Sequence, residues 1–109
     1  MEVKSSDKEG VLIVQIDGEI NISTSPELKK QFDKQNSKKI VVDLSRVSYI
    51  DSSGLATLVE MFKKTRTQGG SLGLSGMNDK VKSLFEITKL DKLFSIFKTQ
   101  DEAIGHVNK

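Results

Sequence analysis

The sequence predicts one α/β domain: a mixed, mainly parallel β-sheet of four to five strands with about four α-helices, packed mainly on one face. Three observations carry this expectation. Short apolar, β-branched runs recur along the chain, as in Val11–Ile16, Ile40–Leu44 and Phe94–Phe97. Between them lie segments whose apolar residues repeat at helical spacing behind polar capping residues. The resulting order, β-β-α-β-α-β-α-β-α, needs parallel strands joined by right-handed crossovers. At 109 residues, with no repeat, linker or low-complexity stretch, the chain reads as a single domain over 1–109.

In chain order, Glu2–Ser6 predicts an edge strand, turned by Asp7-Lys8-Glu9-Gly10 into a largely buried strand, Val11–Ile16, that ends at Asp17-Gly18. Thr24 and Glu27 have capping-box spacing and Pro26 suits a first helical turn. A short helix with a thin apolar face, Leu28 and Phe32, is expected to follow and to end near Asn36-Ser37. Ile40–Leu44 is a third strand. Leu55, Leu58, Val59 and Phe62 then recur at i, i+3, i+4 and i+7, the core-facing stripe of a central helix. Gly69-Gly70 ends that helix, and Lys63, Lys64 and Arg66 suit its C-terminal dipole. Ser71–Ser75 is a fourth strand. Asn78 is placed to cap a third helix with Val81, Leu84, Phe85 and Thr88 in register, and Leu90 and Leu93 continue the packing through a turn. Phe94–Phe97 reads as a fifth, edge strand. Thr99 and Glu102 form another capping box, opening a last helix through Ala103, Ile104 and Val107.

Composition removes several classes of function. With 17 basic and 15 acidic residues the net charge is +2, which gives no electrostatic case for direct nucleic-acid binding. Cysteine is absent, so there is no disulfide framework, thiolate metal site or thiol nucleophile. The N-terminus is too polar for a signal peptide, and the longest apolar runs fall far short of a membrane span. A cytoplasmic protein that does not bind membranes is expected.

The chemistry concentrates at Val47-Ser48-Tyr49-Ile50-Asp51-Ser52-Ser53-Gly54-Leu55, where an apolar strand passes into the central helix. Asp51, Ser52 and Ser53 can each cap a helix, and about one is needed. Backbone N–H groups at a helix start favour negative charge, so this is a natural seat for a phosphoryl group. Nucleophilic catalysis finds no support, because the only histidine is His106 near the C-terminus and the Gly-x-Ser-x-Gly elbow is missing. Gly69, Gly70, Gly73 and Gly76 match neither the dinucleotide fingerprint nor the P-loop. Asp17, Glu19, Asp43 and Asp51 lie at or beyond the C-terminal ends of strands, and read as loop caps and solvated charges, so no metal site is expected.

Asp51-Ser52-Ser53-Gly54-Leu55, preceded by Val42-Asp43-Leu44 and Tyr49-Ile50, resembles the signature of bacterial anti-sigma factor antagonists, which are single STAS domains. The resemblance covers essentially the whole chain. It implies a switch without catalytic residues or cofactor. The serine after the Asp is the phosphoacceptor in that family, and the matching position is Ser52. The unphosphorylated form is implied to bind an anti-sigma factor that is also a serine kinase, freeing a sigma factor for transcription. Phosphorylation switches binding off, and a PP2C-type phosphatase restores it. The implied partner surface combines Glu19 and Asn21 with Asp51, Ser52, Ser53 and Gly54. Ala56, Thr57 and Glu60, off the Leu55/Leu58/Phe62 stripe, extend it along the helix. Many antagonists carry Asp where this chain has Asn21, which keeps the shape but removes a charge. A monomer or weak dimer is expected. The alternative is a constitutive STAS scaffold in another signalling or transport complex, indifferent to Ser52.

Overall fold

The centre of the structure, a computed structural model describing residues 1–109, is a pair of long parallel strands, β2 (Val11–Ile20) and β3 (Lys39–Ile50). Their apolar residues alternate between two cores. Leu12, Val14, Ile16, Ile40, Val42 and Leu44 face one side, whereas Val11, Ile13 and Val41 face the other. Strands buried on both faces read as near-continuous apolar runs, as they do here.

Around this pair, β1 (Glu2–Lys8) adds antiparallel to β2, while β4 (Ser71–Ser75) and β5 (Ser95–Phe97) add in parallel beyond β3. The sheet order is β1-β2-β3-β4-β5. The expected mixed, mainly parallel sheet is thus found at its five-strand limit. Helices α1 (Ser25–Asp33), α2 (Ser52–Thr67) and α3 (Asp79–Ile87) pack on the larger core, and α4 (Gln100–Val107) covers the smaller one. The larger core closes around Phe94, whose ring lies 5.1 Å from that of Phe62 and 5.6 Å from that of Phe85, both edge-on. Phe94 therefore precedes β5 as a core residue instead of beginning that strand. A single 3-10 turn, Leu90–Lys92, carries the chain to it.

Several boundaries differ from the sequence expectation, each for a physical reason. Asp17-Gly18 does not end β2: register shifts on either side of it absorb the irregularity, Gly18 adopts φ +114°, and pairing resumes to Ile20. β3 likewise runs on through Ser45 and Arg46 to Ile50, because it stays paired with the far end of β2. The Thr24–Glu27 capping box does not form. The Thr24 hydroxyl donates to the Glu19 carbonyl oxygen at 2.8 Å and accepts from the Asn21 N–H at 2.8 Å, so it is taken by the preceding loop. Pro26 does occupy the first turn of α1, which ends at Asp33, three residues short of Asn36. Asn78 caps α3 by accepting from the Val81 N–H at 2.8 Å, but Thr88 is the exposed C-cap and lies off the apolar stripe. Thr99 caps α4 through the Glu102 N–H at 3.2 Å, its hydroxyl also meeting the Glu102 carboxylate. No helix is long and apolar enough to cross a membrane.

Candidate functional site

At the C-terminal ends of β2 and β3 the two strands deliver a loop and a helix start to the same place. The junction is tight. The Asp51 N–H donates to the Ile20 carbonyl oxygen at 3.1 Å, extending the sheet by one bond. Gly54, in the first turn of α2, lies against the same carbonyl: a Cβ there would overlap the Ile20 oxygen and reach within 2.8 Å of Ile50 Cγ2. Only glycine lets the helix approach the strand so closely.

Asp51 holds the junction with both carboxylate oxygens. One accepts from the Gly54 N–H at 2.9 Å, the N-cap bond, and the other from the Ile22 N–H at 3.0 Å in the loop after β2. That loop is further braced by Asn21, whose side-chain oxygen accepts from the Ser23 N–H at 2.9 Å and the Thr24 N–H at 3.1 Å. With Asp51 as cap, Ser52 and Ser53 are released from that duty. Ser52 is the exposed first residue of α2; Ser53 is half-buried, and its carbonyl oxygen accepts the Thr57 hydroxyl at 3.1 Å. The Gly54 and Leu55 amides are taken by Asp51, whereas those of Ser52 and Ser53 have no intrahelical acceptor, so Ser52 stands at the positive end of the dipole, where negative charge is favoured.

Glu19 and Asn21 flank Ile20, whose carbonyl oxygen accepts from the Asp51 N–H, so they lie close to the start of α2; Glu19, Ser52 and Ala56 are exposed. Ser52, Ala56 and Glu60 form a line along α2 at four-residue spacing. Two expected contacts are corrected. Gly54 is buried against β2 and offers no surface. Thr57 is 7 % exposed, because α1 packs beside α2 and widens its buried arc to Gly54, Leu55, Thr57, Leu58, Met61, Phe62 and Thr65. The two helices are tied by Lys29–Glu60 at 2.9 Å and Lys64–Asp33 at 3.0 Å. The hydrogen bond and charge of Glu60 raise the Lys29 ammonium above its ordinary value. Glu60 is therefore exposed but already engaged.

The carboxylates considered as loop caps and solvated charges separate into different roles. Asp17 faces Arg46 at 3.8 Å on the surface. Asp43 is not solvated: it is 6 % exposed, accepting from the Ser45 N–H and from Gln100 Nε2, both at 2.9 Å, and so tethers α4 to the sheet. Tyr49 is exposed, with the Lys80 ammonium 6.0 Å from its ring centre. One residue escaped the sequence reading. Ile22, 73 % exposed, projects from the braced loop whose N–H Asp51 holds. Its signal was available as a lone large apolar residue inside the polar run Asn21-Ile22-Ser23-Thr24.

A five-stranded sheet with a single antiparallel edge, three helices on one face and an exposed serine opening the central one defines a class. Residues 2–103 match the STAS domain family, and the chain belongs to that family, among its anti-sigma factor antagonists. It is 35 % identical over 109 residues to the anti-sigma-B factor antagonist of Listeria monocytogenes, covering 97 % of this chain and 95 % of that one. To the anti-sigma-B factor antagonist of Bacillus subtilis it is 33 % identical over 98 residues, 88 % of each chain. The crystal structure of an anti-sigma factor antagonist from Mycobacterium paratuberculosis superposes with a TM-score of 0.90 at 28 % identity, covering 99 % of this chain and 94 % of that one.

Proposed function

We propose that the protein is a binding regulator and not an enzyme: an anti-sigma factor antagonist that, unphosphorylated, binds an anti-sigma factor acting also as a serine kinase. Phosphorylation of Ser52 by that kinase ends the binding, and a PP2C-type phosphatase restores it. The reading places the protein in the cytoplasm, where sigma factors act, as a monomer or weak dimer. The observation that carries it is the division of labour at the start of α2. Asp51 caps the helix and staples the loop, leaving Ser52 exposed and free of structural duty.

A phosphoryl group on Ser52 adds roughly −1.5 to −2 charge and three acceptor oxygens. In the free domain the helix N-terminus accommodates this anion, while the neighbouring Asp51 opposes it. Against a partner the same group is buried without a counter-charge. An uncompensated buried charge costs on the order of 3–5 kcal/mol. At about 1.4 kcal/mol per decade this is roughly two to four decades in affinity. Asn21 supports the reading in spite of its departure from the family Asp, since its side-chain oxygen performs the loop-bracing role that a carboxylate oxygen would.

The test uses two baits, wild type and Ser52→Glu, in native lysate, followed by purification of the retained protein. The expected result is a kinase-like protein held by wild type only, which then phosphorylates Ser52 but not Ser52→Ala when given ATP, as read by peptide mass spectrometry. If both baits hold the same partners with equal affinity, the constitutive scaffold replaces the switch.

A further inference from the structure

Helices α3 and α4 lie on opposite faces of the sheet, yet both contribute walls to one groove of about 710 Å³. Elements on opposite faces can share a groove past an edge of the sheet or past its strand ends. Here the lining follows α3 from Asp79 through Lys82 to Glu86, then Asp91 and the β5 residues Ile96 and Phe97, so the groove runs along β5, the last strand in the sheet order. Its floor contains the half-buried Ile96 and Phe97.

The main chain at this edge has a definite orientation. The Phe97 carbonyl oxygen accepts from the Gly76 N–H at 3.1 Å, toward the β4 side. Because successive residues of a strand turn their N–H and C=O groups to opposite sides, those of Ile96 face the groove. The rim carries four carboxylates, Asp79, Glu86, Asp91 and Glu102, against two ammonium groups, Lys82 and Lys98. None of the six takes part in an ion pair within the domain. The groove thus offers unused main-chain donors and acceptors, an apolar floor and a net negative rim.

We propose that this groove is a strand-addition site for an extended, net-basic peptide segment of a partner protein, which pairs with Ile96 and lays alternate side chains on Ile96 and Phe97. The rim disfavours a nucleic acid. A second copy of this chain does not fit by charge either, since its own free edge, β1, holds Glu2, Lys4, Asp7 and Lys8 and is electrically neutral. None of the groove residues belongs to the Ser52 face, so this contact and the switch operate separately.

The probe is a blocked hexapeptide of alternating lysine and valine, titrated into the full-length isotope-labelled protein and followed by NMR. Expected are shift changes centred on residues 95–98 and slowed exchange of the Ile96 amide. Binding should be at least about tenfold weaker for the glutamate–valine peptide, and for a lysine–valine peptide N-methylated at two consecutive central residues, which blocks both of its edges. The double variant Glu86→Lys/Glu102→Lys, both exposed positions, should reverse the charge preference, and Ser52→Glu should leave binding unchanged. Equal affinity for the N-methylated peptide, shifts centred elsewhere, or no binding at millimolar peptide overturns the proposal. All of these outcomes are independent of whether Ser52 is a phosphoacceptor.

Discussion

Replacing Asp51 by alanine removes two hydrogen bonds from one carboxylate, and the structure gives each a separate consequence. Loss of the N-cap bond to the Gly54 N–H costs about 0.5–2 kcal/mol. The bond from the Ile22 N–H goes to a charged acceptor, a type worth about 1.5–3 kcal/mol; this one is exposed to solvent, so no more than the lower end applies. The two share one side chain and are not fully additive, so the expected loss is about 2–3 kcal/mol. For a domain of this size that lowers Tm by roughly 10–20 °C. Urea unfolding gives the total, and amide exchange divides it. In Asp51→Ala the Ile22 and Gly54 amides should exchange faster, while core amides such as that of Val42 follow only the global change. Asp51→Ser should fall between, since one hydroxyl oxygen replaces the cap but does not span both donors. A loss below about 0.5 kcal/mol, with Ile22 exchange unaltered, would refute the view that Asp51 staples the loop to the helix.

The remaining expectations concern the same face and its supports. Gly54→Ala places a methyl group against the Ile20 carbonyl, which cannot rotate aside, so it should cost about 3 kcal/mol, at the upper end for overpacking, in chemical denaturation. Ile22→Ser should change stability by less than about 0.5 kcal/mol, because the side chain is exposed. On the proposed function, the same change should weaken partner binding by about tenfold or more in calorimetry, as expected of an apolar anchor beside the switch. Glu60→Gln should lower the Lys29 titration midpoint, observed by NMR of the side chain. Because the folded value is raised, any stabilisation from the pair is present below the unfolded lysine value and is lost as pH climbs through the higher folded one.

Where one local rule acted alone, the sequence was a sufficient guide. The Leu55/Leu58/Phe62 spacing located α2 and its buried side because a helix on a sheet needs one apolar stripe. Asn78 and Thr99 were legible as caps because their capping oxygens are left to the helix; Asn78 gives only its amide nitrogen to the Val47 carbonyl. Where two elements compete for one group, local reading failed. The Thr24 hydroxyl had a capping-box partner in sequence, but the Glu19 carbonyl and the Asn21 amide claim it in space. Thr57 looked exposed because the stripe predicts burial against the sheet alone, whereas α1 adds a second wall. Gly18 read as a stop because glycine punctuates strands; in a sheet held by its neighbours it is only a bulge. Of the site, the Asp51–Ser52 motif was visible in full. Ile22 was not singled out: its side chain is apolar in a polar run, but the hydrogen bond that holds its backbone joins it to a residue 29 positions away.

The segregation of α4 from the other helices has a consequence for synthesis. Every strand precedes α4 in the chain, and the face bearing Val11, Ile13 and Val41 has no other cover. A nascent chain can assemble its sheet and first three helices while this apolar stripe is still bare. Until α4 docks, an unfinished sheet displays the surface on which misassembly starts. The Gln100–Asp43 bond, made by the first residue of α4, fastens that cover to β3.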